Sequence, residues 1–524
     1  MLLPSESTAL NDNVPVVWSV SGSDVSGAAG VQTDLVGLSD VSVHGCTVIT
    51  AVTAQHAQQV LSINPVSEKT LRDQFDALSA DALPRVIKLG LLPTVECIEV
   101  VCEVLEQHPD VCVVCDPVIE SSSGALLLRS EAIQLFVTRL LPHVDVLTPN
   151  APELLRLASE VVLNSEECDV DNVSSQYDCV AALLNVGVGT VMLKGGHVVD
   201  GQTLNDSSTT VDRIWSLNGD RLCTAPKQFA LVNRRHAHGA RGTGCRLASV
   251  LAGLLAHDYV LEDACVLANA YLNRTISQAY EIDHKARCLP SVNAIELSDL
   301  PSVVCDVTDA NALVTASKFA FVGSDSLGLY PVVDDVVWIE RLIPLGVTTI
   351  QLRLKEMPMA DVERQIIQAV ALQKQYDIKL FINDYWELAI KHQAHGVHLG
   401  QEDLFEVDVS AIRDAGLALG LSTHSWWEVA RAHTHRPSYL AFGPIYPTQT
   451  KTMPWEQQGL ERLTQWVDCV GADYECVAIG GINTARMPEV LATGVDSVAM
   501  VSSITHVPDW AASTRELLSY FSDA

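Results

Sequence analysis

Eight short apolar runs, each separated from the next by a stretch long enough for one helix, fill the carboxy-terminal part of the chain. They lie at 327–333, 348–354, 379–384, 396–400, 417–424, 439–445, 475–481 and 497–503. Strands covered on both faces read as continuous apolar runs, and eight β/α units in about 200 residues reach the lower size limit of a TIM (β/α)8 barrel. In that fold, active sites lie at the carboxyl ends of the strands. The polar residues that close each run are therefore the first candidates for chemistry.

The preceding half alternates less regularly. Apolar runs at 16–22, 47–53, 85–92, 111–118, 144–150 and 190–197 are interleaved with helical periodicity, which predicts a mostly parallel sheet covered by helices. A hairpin is expected from 209–215 and 221–224, turning at Asn218 and Gly219. Next comes a glycine-rich turn, Gly242-Thr243-Gly244-Cys245, which opens an apolar helix over 247–256. From 291 to 320 the sheet pattern lapses into Ser, Asp, Asn and Ala punctuated by Pro290 and Pro301, so a linker is expected there, dividing a domain at 14–290 from one at 321–524.

With 48% hydrophobic and 19% charged residues, the chain has the apolar material for large interiors and too little charge for a disordered or coiled-coil class. Its 33 basic against 64 acidic residues give a net charge of -31, which repels a nucleic-acid backbone. Anionic ligands must be gripped by local devices. Fourteen cysteines in 524 residues are too sparse for a disulfide scaffold and suit a reducing cytoplasm. Residues 1–13 lack a basic and apolar leader pattern, and no apolar run reaches membrane-spanning length. Small molecules, not nucleic acids or membranes, are the expected partners, and a homo-oligomer stays open.

In the second apolar run of the barrel pattern, period-two alternation puts Gln351, Arg353 and Lys355 on one side, an amide and two cations facing one ligand. The third run ends at Asn383-Asp384, and the fourth leads into Gly400-Gln401-Glu402-Asp403. Two carboxylates from adjacent strand ends suit Mg²⁺, which takes one or two carboxylates and completes its shell with phosphate and water; each Asp alone reads equally well as a helix cap. The sixth run leads into Thr448-Gln449-Thr450-Lys451, a hydroxyl and cation cluster, and the seventh and eighth end at Gly481 and at Val501-Ser502, where such barrels bind phosphate. Gly481 by itself also fits a plain turn.

The segments QLRLK, FINDYWELA, GVHLGQEDL, GLSTHS, FGPIYPTQTK and AIGGI occur in this order, and residues 327–524 thereby resemble thiamine phosphate synthase. The resemblance implies that Gln351, Arg353, Lys355, Asn383, Ser422 and Lys451 bind hydroxymethylpyrimidine pyrophosphate, Arg353 and Lys451 acting on the leaving group. It implies Mg²⁺ on Asp384 and Asp403. Thiazole phosphate would be held by Thr448, Gln449, Thr450, Gly481, Val501 and Ser502. Cations and Mg²⁺ stabilise departing pyrophosphate, the electron-rich aminopyrimidine tolerates a methylene cation, and the thiazole nitrogen then attacks. No protein nucleophile is required.

In the first half, GSDVSGAAG matches neither a Rossmann fingerprint nor a P-loop, and GTGC alone is a weak pattern. Taken in order, however, SGSDVSGAAGVQTDL, TAVTAQ, IKLGLL, CDPVIESSSGALLL, LTPNAPEL, MLKGGH and GTGC resemble hydroxymethylpyrimidine kinase / phosphomethylpyrimidine kinase. That resemblance implies a ribokinase-like α/β sandwich in which Asp34 and Gln55 hold the pyrimidine beside Val118. Lys194, Gly195, Gly196, Gly242, Thr243 and Gly244 would serve ATP, with Mg²⁺ accompanying the nucleotide. Cys245 stands where many ribokinase-like enzymes carry a general-base Asp, and a helix N-terminus is expected to lower its pKa. The chain departs from the family pattern in having Arg241 before the turn, in place of His, and Leu91 in place of Met. Arg241 would still supply phosphate-neutralising charge.

The expected activity is ATP-dependent phosphorylation of hydroxymethylpyrimidine and its monophosphate, then condensation with thiazole phosphate to thiamine phosphate. Two rival readings keep the synthase and make the first half a non-catalytic pyrimidine-binding module, or a kinase for another heterocycle such as pyridoxal. Among other motifs, Cys112 and Cys115 read as a buried strand pair rather than a redox or zinc site. His395, His398, His433 and His435 read as solvated or capping, and Trp426 and Trp427 as helix-packing residues.

Overall fold

The computed structural model describes residues 14–56, 58–120, 124, 126–161, 173–196, 208–217, 228–282, 286–305, 319, 326–447 and 457–521. The chain divides into two compact units, Leu2–Leu313 and Val314–Ala524.

The first unit is built on a ten-stranded sheet. Its strands are β1 (Val16–Asp24), β2 (His44–His56), β3 (Gln59–Pro65), β4 (Val86–Leu89), β5 (Cys112–Cys115), β6 (Val146–Leu147), β7 (Thr190–Leu193), β8 (Thr209–Ser216) and β9 (Gln228–Arg234). A small ribbon, β10 (Tyr280–Ile282) with β11 (Ala286–Cys288), stands apart, and β12 (Ser302–Val304) returns to the main sheet. The order is β12-β9-β8-β7-β6-β5-β4-β1-β2-β3, parallel from β7 through β2 and antiparallel at both margins. All six predicted apolar runs contribute strands to it.

The strand at 209–215 forms as part of β8, antiparallel to both β7 and β9, with Trp215 opposite Val191 and Gln228; the predicted arm at 221–224 and the turn at Asn218-Gly219 lie outside the described residues. One expectation changes here. The stretch from 291 does not behave as a linker over its first half. Val292, Ile295, Leu297 and Leu300 are buried, the Ser291 hydroxyl bonds Asp40, and β12 pairs with β9. Apolar residues spaced by neither two nor three-and-a-half positions gave no periodic signal, yet they still bury against the sheet.

Helix Thr243–Ala256 is apolar on nearly every side and buried from Arg246 to Ala256, as an all-round hydrophobic helix must be. It packs beside helices Gly30–Asp40 and Leu261–Ser277.

In the second unit, eight parallel strands close into a barrel: β13 (Leu329–Val333), β14 (Thr349–Leu352), β15 (Lys379–Asn383), β16 (Gly396–Leu399), β17 (Ala418–Thr423), β18 (Tyr439–Phe442), β19 (Glu475–Ile479) and β20 (Ser497–Met500). Each coincides with one predicted run. The strands stop before the runs do, because their polar last residues leave the ladder to form loops. Inside the barrel, the ring of Phe381 packs against those of Tyr330 and Tyr439, at 5.6 and 5.2 Å. Trp426 and Trp427 are buried at the start of helix Trp426–His435, Trp426 against Trp466, so they pack the helix as expected. Among the described residues, no helix is long and apolar enough to cross a membrane.

Candidate active sites

In the first unit, the strand-to-helix turn after β1 approaches the main chain closely. Gly30 has φ +64°, and a Cβ there would fall 2.1 Å from the Gly22 carbonyl oxygen. Gly242 repeats the arrangement, with φ +76° and 2.0 Å to the Ala28 carbonyl oxygen. Only glycine permits both contacts. They bring GSDVSGAAG and GTGC together, so that Ser21, Asp24, Gln55, Leu91, Val118 and Cys245 line one cleft.

Beneath the cleft, charges are buried in pairs. Asp34 and Lys88 are both fully enclosed and joined at 2.7 Å, and the Ser19 hydroxyl donates to the same carboxylate oxygen at 2.7 Å. Asp34 Oδ1 is buried without a hydrogen-bond partner. Burial raises the Asp34 pKa, and Lys88 and Ser19 pull it only partly back. Burial also opposes the Lys88 ammonium, but Asp34, Cys245 and Asp116 outweigh that effect and keep it charged.

A second pair joins Lys194 Nζ to Asp116 Oδ1 at 2.6 Å, with Glu153 at 3.8 Å. Burial alone would raise Asp116, yet Lys194 and Lys88 hold it below the usual carboxylate range. Burial pushes Glu153 up to about 7. A Cβ on Gly244 would stand 3.1 Å from Lys194 Nζ, so this lysine points at the GTGC turn. Gly195 donates its N–H to Asp212 at 2.8 Å.

Cys245 overturns one expectation. Its thiol is pushed up to about 12, because desolvation, with Asp116 and Asp34 adding to it, outweighs Lys88 and the hydrogen bond from the Gly30 backbone. Arg241 lies 3.8 Å from the Asp24 carboxylate and 3.5 Å from the Ser26 hydroxyl, tying the two glycine turns together. Lys88, Asp116 and Asp24 belong to this site although sequence reasoning gave them no role. A Lys inside the otherwise apolar VIKL of β4 was the available signal, since a buried cation requires a partner.

In the barrel, Gln351 is buried in β14, and Arg353 follows at the strand end, its N–H bonded to the Val333 carbonyl at 2.7 Å. Lys355 forms an ion pair with Asp384. Asp384, at the end of β15, has φ +65°. Asp403 accepts the Gly400 N–H at 2.7 Å, and burial raises its pKa, with Asp384 and Glu402 adding to the effect of burial. A second carboxylate that raises the cost of ionising Asp403 makes the pair a natural cation seat. Among the described residues, no cluster of three or more His, Cys, Asp or Glu offers a richer metal site.

Gly481 has φ +66°, and a Cβ there would lie 2.6 Å from the Pro447 carbonyl oxygen. A tight glycine turn therefore abuts the segment leading to 448–451. Thr448, Gln449, Thr450 and Lys451 themselves lie outside the described residues. Val501 and Ser502 open the short helix Ser502–Thr505 after β20.

The histidine reading needs correction at His398. It is enclosed in the barrel, bonded through Nδ1 to the Tyr439 hydroxyl at 2.7 Å and through Nε2 to the Ser422 hydroxyl at 2.8 Å. Burial lowers it to about 4, so the ring is neutral. His433 bonds the Tyr474 hydroxyl at 2.8 Å, and burial lowers His395 and His435. Only His398 among these four is buried in a barrel strand; His395, His433 and His435 stay partly exposed, the last two in the final turn of helix Trp426–His435. Cys112 and Cys115 both lie in β5, Cys115 buried and Cys112 partly so.

A ribokinase-like sandwich with charged pairs under a glycine-rich cleft, followed by a TIM barrel with cations and carboxylates at its strand ends, defines a two-domain transferase. The profile of the family described as phosphomethylpyrimidine kinase matches residues 24–289, and that of thiamine monophosphate synthase matches residues 329–504. The chain belongs to both families, one in each half. Its barrel half is 58% identical to the thiamine-phosphate synthase of Klebsiella pneumoniae over 193 residues, covering 37% of this chain and 91% of that protein. The same enzyme from Photorhabdus laumondii is 58% identical over 192 residues, covering 37% and 88%. A solved phosphomethylpyrimidine kinase from Clostridium difficile 630 is 30% identical, with TM-score 0.40, covering 50% of this chain and 100% of that one. Both halves are thus enzyme domains of thiamine biosynthesis, a phosphomethylpyrimidine kinase and a thiamine-phosphate synthase.

Proposed function

We propose the following division of labour among the residues. In the kinase half, Asp34 Oδ1, a buried acceptor without a donor, and Gln55 hold the pyrimidine edge beside Val118. Lys194, aimed at the GTGC turn, and the N–H groups of Gly242, Thr243 and Gly244 receive the ATP phosphates. Gly195 and Gly196 border the nucleotide. Cys245 takes the proton of the attacking group in its thiolate form, the small fraction present for a thiol near 12.

In the barrel, Arg353 and Lys355 bind the pyrophosphate of hydroxymethylpyrimidine pyrophosphate, and Gln351, Asn383 and Ser422 fix the rest of that substrate. The Asp384 and Asp403 carboxylates fit Mg²⁺ by donor type and number. Bound there, Mg²⁺ supplies charge neutralisation to the leaving pyrophosphate. Lys451, with Arg353, balances the same charge, while Gly481, Val501, Ser502 and the hydroxyls at 448–450 hold thiazole phosphate. The observation that carries this reading is the convergence of Lys355, Asp384 and Asp403 at the ends of three consecutive strands.

One assay of the full chain tests it, with hydroxymethylpyrimidine phosphate, thiazole phosphate, ATP and Mg²⁺. ADP, pyrophosphate and thiamine phosphate are expected in equal amounts. Thiamine phosphate only when the pyrimidine pyrophosphate is supplied, with no ADP, would refute the kinase assignment and leave that of the synthase standing.

A further inference from the structure

A row of buried polar groups runs through the barrel interior, and the division of labour above uses only its last member. Tyr330 and Tyr439 meet hydroxyl to hydroxyl at 2.8 Å, Tyr439 meets His398 Nδ1 at 2.7 Å, and His398 Nε2 meets the Ser422 hydroxyl at 2.8 Å. The two tyrosines are at most 1% exposed. Tyr439 opens β18 and stands in register with Gly420, whereas Ser422 lies two residues further along β17, at the end where ligands bind. The space for Tyr439 is made by that same Gly420, where a Cβ would fall 2.0 Å from the ring.

Proton arithmetic gives the row a direction. A neutral imidazole has one N–H and one lone pair, so every link must point the same way. Were Ser422 to donate into the row, the Tyr330 O–H at the far end would need an acceptor other than Tyr439. Among the described residues it meets none, and a buried donor left unmade carries its whole desolvation cost. In the opposite sense, Tyr330 donates to Tyr439, Tyr439 to Nδ1, and Nε2–H to Ser422 Oγ. Every buried proton is then placed, and the Ser422 proton is left pointing out of the row.

We propose that His398 is a positioning residue of the synthase, fixed by Tyr439 and Tyr330, which makes Ser422 an obligate hydrogen-bond donor to an acceptor atom on the pyrimidine pyrophosphate. The proposal rests on the assignment of Ser422 to that substrate. His398 and the tyrosines act through Ser422 and touch no reacting atom.

The test uses the full chain, supplied directly with hydroxymethylpyrimidine pyrophosphate and thiazole phosphate; ADP release from hydroxymethylpyrimidine phosphate serves as a control that the kinase half is intact. Ser422→Ala is expected to lower synthase kcat/KM by about tenfold, the scale of one hydrogen bond. Tyr439→Phe should lower it several-fold in the native background and less than twofold once Ser422 is Ala, because both act through one hydroxyl. His398→Gln, which keeps an amide donor near Nε2, should retain more activity than His398→Leu. Equal fold losses for Tyr439→Phe in both backgrounds would mean packing alone and would overturn the proposal. If Tyr439→Phe does not fold, His398→Leu in the native and Ser422→Ala backgrounds gives the same comparison. A wild-type chain without synthase turnover would instead overturn the underlying assignment.

Discussion

Lys88→Met isolates the buried pair beneath the kinase cleft. Both partners are completely enclosed, and among the described residues the ammonium is the only cation bonded to Asp34. Without it the carboxylate keeps the Ser19 hydroxyl and little else. Removing one partner of a buried pair costs about 3–5 kcal/mol, because the remaining charge is uncompensated. At roughly 2–4 °C per kcal/mol for a domain of this order of size, the first unit should melt about 6–20 °C lower.

The loss should also depend on pH. Asp34 is an acid whose native pKa stands above its ordinary 3.8, so the folded state holds the proton more firmly than the unfolded chain does. Stability contributed by such a group is present at low pH and fades as pH climbs from the ordinary value through the raised one. Deleting Lys88 raises the native value further, so the deficit of the variant, measured at about pH 5 and about pH 8, should be the larger at the higher pH. Scanning calorimetry of the full chain reads the shift, with each transition assigned by the activity lost on stepwise heating. Adding Asp34→Asn to Lys88→Met should recover part of the loss by removing the charge. A shift below about 2 °C at pH 8, or equal shifts at both pH values, would refute the argument that an unpaired buried charge controls this site.

Three further outcomes are expected. Asp384→Ala should abolish Mg²⁺-dependent thiamine phosphate formation while circular dichroism stays native; unchanged turnover would remove the metal assignment. With its thiol near 12, Cys245 as base should give a kinase kcat/KM that climbs through pH 7 to 9 without levelling, since the thiolate fraction grows about tenfold per pH unit. Cys245→Ser should abolish that climb, and an identical slope in the variant would exclude the thiol. Gly481→Ala combines a left-handed φ with a clash against Pro447, so the KM for thiazole phosphate should rise at least about tenfold. Initial-rate kinetics with kinase turnover as control would detect it, and an unchanged KM would place that substrate elsewhere.

What the sequence determined by itself follows from periodicity and order. All eight barrel strands were legible because strands buried on both faces must be apolar throughout, and the order of the motifs implied both families. Candidates such as Lys355 and Asp384 were legible because alternation and strand ends fix direction locally. Tertiary structure alone decided which charges meet across strands: Lys88 with Asp34, Lys194 with Asp116, and His398 with Tyr439 and Ser422. It also reversed the expected pKa shift of Cys245, because desolvation depends on everything packed around a group and here is the largest influence on the thiol. The segment after 291 was missed for a related reason: its burial comes from the sheet it joins, and that partner is distant in sequence.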